Sequence, residues 1–268
     1  MPMKIAVFSD VHGNLSALEA VLDSIQNQPG IDEIVFAGDL CVFGPRPQAC
    51  VELISDQNIS SVVGNTDDWI FRPPPLSDDL RGDQRKQREM LISVCQWTRN
   101  QLTQNALNWI DDLCQSFQLR FSPTGQMDDD LLVVHANPKN LSQLIFPPES
   151  DQERLYGHVR QKDSELSPLL NDIKAGAIAF GHLHVPSIRR WNNLSLFNIS
   201  SVSLPGDGDG RAKYAVISWI QGLGWSAEQF RQSYDINPEL EAYRQQRPPG
   251  WQARVDILVS NGFIPQIV

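Results

Sequence analysis

The chain has 268 residues, of which 41% are hydrophobic and 20% are charged, and its net charge at pH 7 is −10. This composition is typical of a globular protein with a sizeable core. The acidic balance argues against a nucleic-acid partner held by many phosphate contacts, because such binding needs a surface rich in Lys and Arg. It does not exclude a small phosphorylated substrate, since bound metal ions can supply positive charge locally.

The sequence shows no targeting or membrane segment. The first apolar run is too short for a signal peptide, and no apolar stretch reaches the roughly 18 residues of a membrane span. We therefore expect a cytoplasmic protein with no membrane contact, and a homo-oligomer stays open. The cysteines (Cys41, Cys50, Cys95 and Cys114) have no metal-binding spacing, so we expect reduced thiols in or near the core.

Short apolar strands alternate with amphipathic helices in the first part of the chain. We predict strands at 4–10, 33–39 and 60–65, and helices at 14–28 and 47–57. This rhythm predicts parallel strands in a layered α/β core. Each predicted strand ends in polar residues, and ligands bind at the carboxyl ends of strands in such sheets.

The pattern changes between about 70 and 125, where a Pro-rich segment precedes helical spacing of apolar residues over 83–114. We predict an inserted helical pair, and the sequence leaves open whether it caps the site or flanks it. The second half contains mostly strands, and we expect a second, more antiparallel sheet, followed by a helical tail. The predicted strands of this half are 131–137, 175–184, 188–199 and 214–220.

Four of the five histidines lie at the ends of predicted strands: His12, His135, His182 and His184. The fifth, His158, lies in a polar stretch and is expected to be exposed. One histidine after a strand is usually structural, but four of them, with Asp-x-His and His-x-His pairs, need another explanation. Side chains two residues apart can point to the same side of a strand end. Imidazole, carboxylate and amide groups together suit manganese, iron, nickel or zinc.

The chain resembles the calcineurin-like metallophosphoesterases, and five motifs in chain order carry the resemblance. They are Asp10-x-His12, Gly38-Asp39, Gly64-Asn65, His135 after an apolar strand, and Gly181-His182-x-His184. The resemblance covers about residues 4–220. Within the superfamily it is strongest to the small bacterial and archaeal phosphodiesterase branch, which shares a late Gly-Asp-Gly-Asp stretch, here residues 206–209.

The resemblance implies an α/β fold, a four-layer αββα sandwich of two mixed sheets, in one domain of residues 1–268 with the helical insertion. It also implies two divalent metal ions bridged by Asp39, with manganese favoured. The remaining ligands of one ion would be Asp10, His12 and His184, and those of the other Asn65, His135 and His182. A metal-bridging hydroxide would attack the phosphoryl group, and the assembled site, with a charge of about +1, would attract an anion.

Catalytic roles are predicted for Asp39, Asn65 and Asp67. Many strongly catalytic members have His after the Gly-Asn pair, whereas this chain has Thr66, whose hydroxyl is far too weak an acid to protonate a leaving group. Asp67 could be the acid if burial raised its pKa, although a role at a helix N-terminus is the stronger interpretation.

The sequence thus predicts an enzyme that hydrolyses phosphodiester or pyrophosphate-type bonds of small molecules. Arg46 and Arg211 are candidates for binding a substrate phosphate, against the simpler interpretation of solvated surface arginines. The alternatives are a non-catalytic scaffold with this fold, a phosphomonoesterase or protein phosphatase, and a nuclease. The filled ligand positions argue against the scaffold, the missing histidine against the phosphatase, and the acidic charge against the nuclease.

Overall fold

The computed structural model describes residues 2–260 and contains two five-stranded mixed sheets. The strands are β1 (Met3–Phe8), β2 (Glu33–Phe36), β3 (Ser60–Ser61), β4 (Gln118–Phe121), β5 (Leu131–Val134), β6 (Ala177–Phe180), β7 (Ser187–Trp191), β8 (Leu194–Asn198), β9 (Ala212–Ile220) and β10 (Gly224–Gln232). The helices are α1 (Leu15–Gln26), α2 (Pro47–Asp56), α3 (Asn65–Trp69), α4 (Gly82–Gln101), α5 (Gln104–Leu113), α6 (Glu149–Tyr156), α7 (Ser167–Leu170), α8 (Asn237–Gln246) and α9 (Trp251–Val259). Short 3₁₀ helices form at Met127–Asp129 and Asp163–Leu166.

The two sheets have the strand orders β10-β9-β1-β2-β3 and β4-β5-β6-β8-β7. In the first sheet β1, β2 and β3 are parallel, as predicted, and β9 runs antiparallel to both β1 and β10. In the second sheet β5, β6 and β8 are parallel, with β4 and β7 antiparallel at the edges. The prediction of a more antiparallel second sheet was therefore wrong. Strand β9, which covers the predicted strand 214–220, belongs to the first sheet.

Alternating side chains of the strands build two separate apolar layers. In β1, Ile5 and Val7 pack between the sheets against Val133 of β5. Ala6 and Phe8 of the same strand pack on the opposite face, against the buried side of α1. Because side chains alternate along a strand, one apolar run serves both faces. A third layer covers the outer face of the second sheet, with residues of α7 against β5, β6 and β8. These layers confirm the predicted αββα sandwich.

The predicted helical insertion corresponds to α4 and α5. Val94 and Cys95 from the second half of α4, with Ile110 and Leu113 from α5, are buried in the same cluster as α1 and α2. This part of the segment flanks the first sheet. The first half of α4 is mostly exposed.

The remaining sequence expectations concern local structure. The predicted strand 188–199 is two strands joined by a turn in which Asn192 has φ +52°. Asn tolerates this left-handed conformation better than most residues, so the turn interrupts an otherwise continuous strand pattern. Strand β10 was not predicted, because its apolar residues are sparse. No helix among residues 2–260 is long and apolar enough to cross a membrane.

All four cysteines are free, and three of them are buried, as predicted. Burial raises the pKa of Cys95 and that of Cys114 to about 12. These thiols therefore stay protonated near neutral pH and act as small apolar core groups.

Replacing Ile110 by Ala tests whether the inserted helices belong to the main core. Ile110 is fully buried, so Ile110→Ala should lower the free energy of unfolding by about 2–5 kcal/mol. Urea unfolding measures this difference. The matched control Asn108→Ala, on the exposed side of the same helix, should change it by less than about 0.5 kcal/mol. Equal effects of the two substitutions would show that α5 is only loosely attached.

Candidate metal centre

The loops after β1, β2 and β6 carry ligand-type residues in an unusual backbone conformation. Asp10, His12, Asp39, His182 and His184 all have positive φ, between 48° and 65°. Non-glycine residues rarely adopt this left-handed region, and its occurrence often accompanies functional sites. The conformation turns the chain sharply at the end of each strand, so that successive ligand-type side chains face the same space.

Two glycines allow these loops to approach one another. A Cβ atom on Gly64 would overlap the backbone nitrogen and Oδ1 of Asp39. A Cβ atom on Gly181 would overlap Oγ of Ser9 and Oδ2 of Asp10. Glycine is required at both positions because no larger residue fits the space.

Asp10, His12 and His184 form the first group of side chains, and all three are buried. Nε2 of His184 lies 3.0 Å from Oδ1 of Asp10 and 3.4 Å from Nε2 of His12. The potential ligand atoms of the group lie within 4.8 Å of one another, which is close enough to surround one ion.

The second group contains Asp39, His135 and His182, whose potential ligand atoms also lie within 4.8 Å of one another. Asn65 joins it, because its Oδ1 lies 2.9 Å from Nε2 of His135. The same nitrogen lies 3.2 Å from Nδ1 of His182. The structure therefore brings together all seven ligand-type residues that the sequence predicted, in the two sets predicted.

Asp39 connects the two groups. Its Oδ2 lies 3.8 Å from Nε2 of His12 in the first group and 3.5 Å from Nε2 of His135 in the second. Its Oδ1 is directed elsewhere and accepts a hydrogen bond from the backbone N–H of Thr66 at 2.8 Å. One carboxylate oxygen thus faces both groups, and the other holds the carboxylate in place.

Backbone carbonyls orient all four imidazole rings. Nδ1 of His12, His135 and His184 lies within 3.1 Å of a backbone oxygen, from Val42, Ala37 and Leu204 respectively. In His182 the arrangement is reversed, with Nε2 2.9 Å from the oxygen of Ser142. A carbonyl can only accept, so the nitrogen beside it carries the proton. When a ring is neutral, its other nitrogen presents a lone pair to the group, as in metal-binding histidines.

The charges in this buried site shift the pKa values in different directions. Burial lowers the pKa of His12 and of His182 to about 4, against the carboxylate of Asp39. Burial also acts on His135, but Asp39 and Asp10 outweigh it and raise its pKa to about 9. Burial would raise the pKa of Asp10 and Asp39, yet the neighbouring histidines lower both. Both carboxylates are therefore ionised near neutral pH.

The donor set fits divalent cations. Oδ1 of Asp10 is buried and faces Nε2 of His184 at 3.0 Å, whereas Oδ2 is held by the hydroxyl of Ser9 at 2.6 Å. A buried carboxylate is costly unless its charge is offset, and a cation in this group would offset it. Neutral imidazoles and carboxylates together are the ligands that borderline first-row metals prefer.

Asp67 is held by backbone donors at the start of α3. Its carboxylate is fully buried and accepts hydrogen bonds from the backbone N–H groups of Asp39, Leu40 and Gly64, at 2.8–2.9 Å. Burial, together with the charge of Asp39, raises its pKa to about 7, although the three N–H donors act in the opposite direction. Both oxygens are occupied within the protein. These contacts favour the role at the N-terminus of α3, which the sequence also favoured, and the acid role stays a prediction.

The two predicted phosphate-binding arginines already have partners. The guanidinium of Arg46 pairs with the buried carboxylate of Glu239 and donates to Oγ of Ser16 at 2.6 Å. Arg211 is exposed and binds the carboxylate of Asp209. Within residues 2–260, neither guanidinium makes a hydrogen bond or ion pair with the seven ligand-type residues. His158 is exposed, as predicted.

Several supporting groups could not be found from the sequence. Ser9 holds the carboxylate of Asp10, and Ser201 donates to the backbone oxygen of Asp10 at 2.9 Å. Ser142 contributes only its carbonyl oxygen, to His182. Only Ser9 carried a signal, since it directly precedes a predicted ligand. A carbonyl contact leaves no trace in residue type, and Ser201 lies far from its partner in the chain.

The calcineurin-like phosphoesterase superfamily domain matches residues 3–221, which contain all seven residues of the site. The chain belongs to this superfamily. An uncharacterized protein of Methanocaldococcus jannaschii is 29% identical over 250 residues, covering 92% of this chain and 94% of its own. The symmetrical bis(5'-nucleosyl)-tetraphosphatase of Haemophilus ducreyi is 34% identical over 67 residues, which cover 24% of this chain and 25% of its own.

Two solved structures confirm the superfamily fold over almost the whole chain. A metallophosphoesterase from Sphaerobacter thermophilus has a TM-score of 0.70 and 24% identity, covering 97% of this chain and 99% of its own. A hypothetical protein from Pyrococcus horikoshii OT3 has a TM-score of 0.73 and 15% identity, covering 96% and 97%. At these identities the similarity establishes the fold alone.

Replacing Asp67 by Asn separates its structural role from an acid role. The amide of Asn would place a donor against backbone N–H groups, so Asp67→Asn should lower the free energy of unfolding by about 2–4 kcal/mol. Denaturant unfolding in EDTA measures this without any contribution from metal. The control Asp68→Asn loses only a partly exposed pair with Arg72 and should cost less than about 0.5 kcal/mol. An unchanged stability in Asp67→Asn would contradict the structural role.

Proposed function

We propose that this member of the superfamily is a metal-dependent hydrolase of phosphodiester or pyrophosphate-type bonds in small molecules. The position of Oδ2 of Asp39 carries the proposal, because that oxygen faces His12 of one group and His135 of the other. A carboxylate placed between two sets of ligand-type side chains is suited to bridge two cations. Such cations polarise the phosphoryl oxygens and lower the pKa of coordinated water.

Each of the two groups of residues would hold one cation. Asp10, His12 and His184 would hold one ion, and Asn65, His135 and His182 the other, with Asp39 common to both. Only two carboxylates stand against two divalent ions, so the occupied site keeps a positive charge. That charge favours binding of an anionic phosphoryl group in an otherwise acidic protein. We propose manganese as the preferred ion among manganese, iron, nickel and zinc.

The proposed preference among phosphate bonds rests on the lack of an evident general acid among the described residues of the site. Thr66 follows Asn65 and is buried, and its hydroxyl has no hydrogen-bond partner within residues 2–260. It cannot protonate a leaving group, and both oxygens of Asp67 are occupied. Bonds whose leaving group is a weak base should therefore break fastest, which favours aryl diesters and phosphoanhydrides over simple alkyl monoesters. The short similarity to a bis(5'-nucleosyl)-tetraphosphatase supports the same class of substrate.

Replacing Asp39 by Asn should abolish loading of both metal positions at once. The expected loss of turnover exceeds the roughly 10–100-fold typical when a group that only supports a ligand is removed. Asp10→Asn and Asn65→Ala should each weaken one position and retain more activity. Metal content by atomic spectroscopy and turnover of bis(4-nitrophenyl) phosphate with Mn²⁺ test this series. Two bound ions per chain in Asp39→Asn would rule out a bridging role.

Replacing Thr66 by His tests the leaving-group argument. The wild type should hydrolyse bis(4-nitrophenyl) phosphate with a higher kcat/KM than glycerol phosphate, whose leaving group is a basic alkoxide. A positioned acid typically contributes about 10²–10⁴-fold, so Thr66→His should raise the rate for glycerol phosphate selectively. Thr66→Val, which removes only the hydroxyl, is the control. Equal kcat/KM for both substrates in the wild type would mean that another group already acts as the acid.

A further inference from the structure

A groove of about 780 Å³ lies between α4, α9 and the loop that follows Asp39. Its apolar lining comes from Phe43, Trp69, Pro74, Leu80, Met90 and Leu91. Three cationic residues also line it, namely Lys86, Arg88 and Arg254, and no acidic residue does. Gln84 and Gln87 complete the described lining. In a chain with a net charge of −10, a groove lined by cations, apolar groups and two neutral amides is suited to an anion with an apolar part.

Phe43 connects this groove to the candidate metal centre. Its ring centroid lies 5.7 Å from that of His12, and the carbonyl of the preceding residue, Val42, contacts Nδ1 of His12. Phe43 has φ +85°, which is rare for a bulky side chain and indicates a conformation imposed by its surroundings. The hydroxyl of Tyr243 in α8 donates to its backbone oxygen at 3.1 Å. The fold thus holds an aromatic ring beside the site.

Arg254 of α9 lies over the ring of Phe43, with its guanidinium carbon 4.2 Å from the ring centroid. It is half-buried, yet within residues 2–260 it forms no ion pair with a carboxylate and no hydrogen bond. By contrast, Arg46 and Arg189 are paired with Glu239 and Asp163. A partly desolvated guanidinium with free donors has strong affinity for a phosphate or carboxylate group.

Arg254 lies outside the part of the chain that matches the superfamily domain, which ends at residue 221. The groove therefore combines residues inside and outside the matched region. Phe43 and Trp69 belong to the matched region, as do Lys86 and Arg88, whereas α9 contributes Arg254. This combination is a reasonable place for substrate specificity, because the centre itself supplies only phosphoryl chemistry.

We propose that this groove binds the organic part of the phosphoester substrate: a planar aromatic group packs against Phe43 and Trp69, and an anionic group attached to it accepts hydrogen bonds from Arg254. The proposal rests on the phosphoesterase activity proposed above. An aryl phosphate and a nucleotide share this chemistry. A flat ring suits the two aromatic side chains, and Arg254 provides a fork that matches two phosphate oxygens.

Equilibrium binding in EDTA tests the groove without requiring metal or turnover. The probes are AMP, phenyl phosphate, ribose 5-phosphate, adenosine and octyl phosphate, followed by tryptophan fluorescence and calorimetry. AMP or phenyl phosphate should bind at least about 10-fold more tightly than ribose 5-phosphate, which has no aromatic group, and AMP more tightly than adenosine, which has no anion. Whether AMP or phenyl phosphate binds more tightly distinguishes a nucleoside from a simple aryl group.

Variants assign the binding to individual residues. Arg254→Met should weaken AMP binding by about 10-fold or more, and Arg254→Lys, which keeps the charge but not the fork, by less. Arg244→Met, which removes an exposed arginine from neighbouring α8, is the matched control and should have no effect. Trp69→Leu should weaken binding of AMP but not of ribose 5-phosphate. Thermal unfolding of each variant confirms that it is folded.

Several results would overturn the proposal. Equal affinity for AMP and ribose 5-phosphate, or no effect of Arg254→Met, would remove the subsite. Tighter binding of octyl phosphate than of both aromatic probes would assign the groove to an alkyl chain. A dimer that dissociates in Met90→Glu would assign the groove to a second copy of the chain.

Hydrolysis of bis(4-nitrophenyl) phosphate with Mn²⁺ is measured in parallel. Its presence without AMP binding rejects the subsite alone, and its absence with AMP binding rejects the proposed activity alone.

Discussion

The strand-end loops approach one another so closely that the surrounding fold has to hold them in place. Gly64 and Gly181 leave no space for a side chain, and five ligand-type residues are held in the left-handed region. Each such residue costs on the order of 1 kcal/mol or more, against a net stability of about 5–15 kcal/mol for a typical domain. The layers between and outside the two sheets must stabilise the fold enough to maintain these loops. The buried apolar layers on both faces of each sheet provide this stability.

The buried charges of the site stabilise one another when no cation is present. Asp39 lies beside two histidines, and the proton held by His135 near neutral pH offsets part of its negative charge. Oδ1 of Asp10 lies 3.0 Å from Nε2 of His184, and the neighbouring histidines lower the pKa of Asp10. The four backbone carbonyls fix the rings before any ion arrives. The loops are thus already arranged for metal, and binding would exchange a proton for a cation rather than reorganise the chain.

The sequence predicted the site better than it predicted the sheet topology. Ligand-type residues follow apolar strands directly, so both strand pattern and residue type point to the same edge of the sheets. The position of β9 beside β1 had no comparable signal, because an apolar strand pairs equally well with many others. The role of Asp67 could not be decided from residue type alone. Its residue type suits an acid, and only the three N–H donors that surround it reveal a structural role. Phe43 and Arg254 were missed because their contacts join distant segments.

The pairing of β1 with β9 also affects how the protein is made in the cell. Ile5 of β1 pairs with Ile217 of β9, so this edge of β1 stays unpaired until β9 has been synthesised. The side chains of Asp10 and His12 likewise cannot meet those of His182 and His184 until the later residues have been synthesised. Contacts between such distant segments form slowly, and exposed strand edges invite association with other chains. The side chains that would hold metal ions therefore come together late in biogenesis, and folding helpers that shield β1 should influence the yield of folded protein.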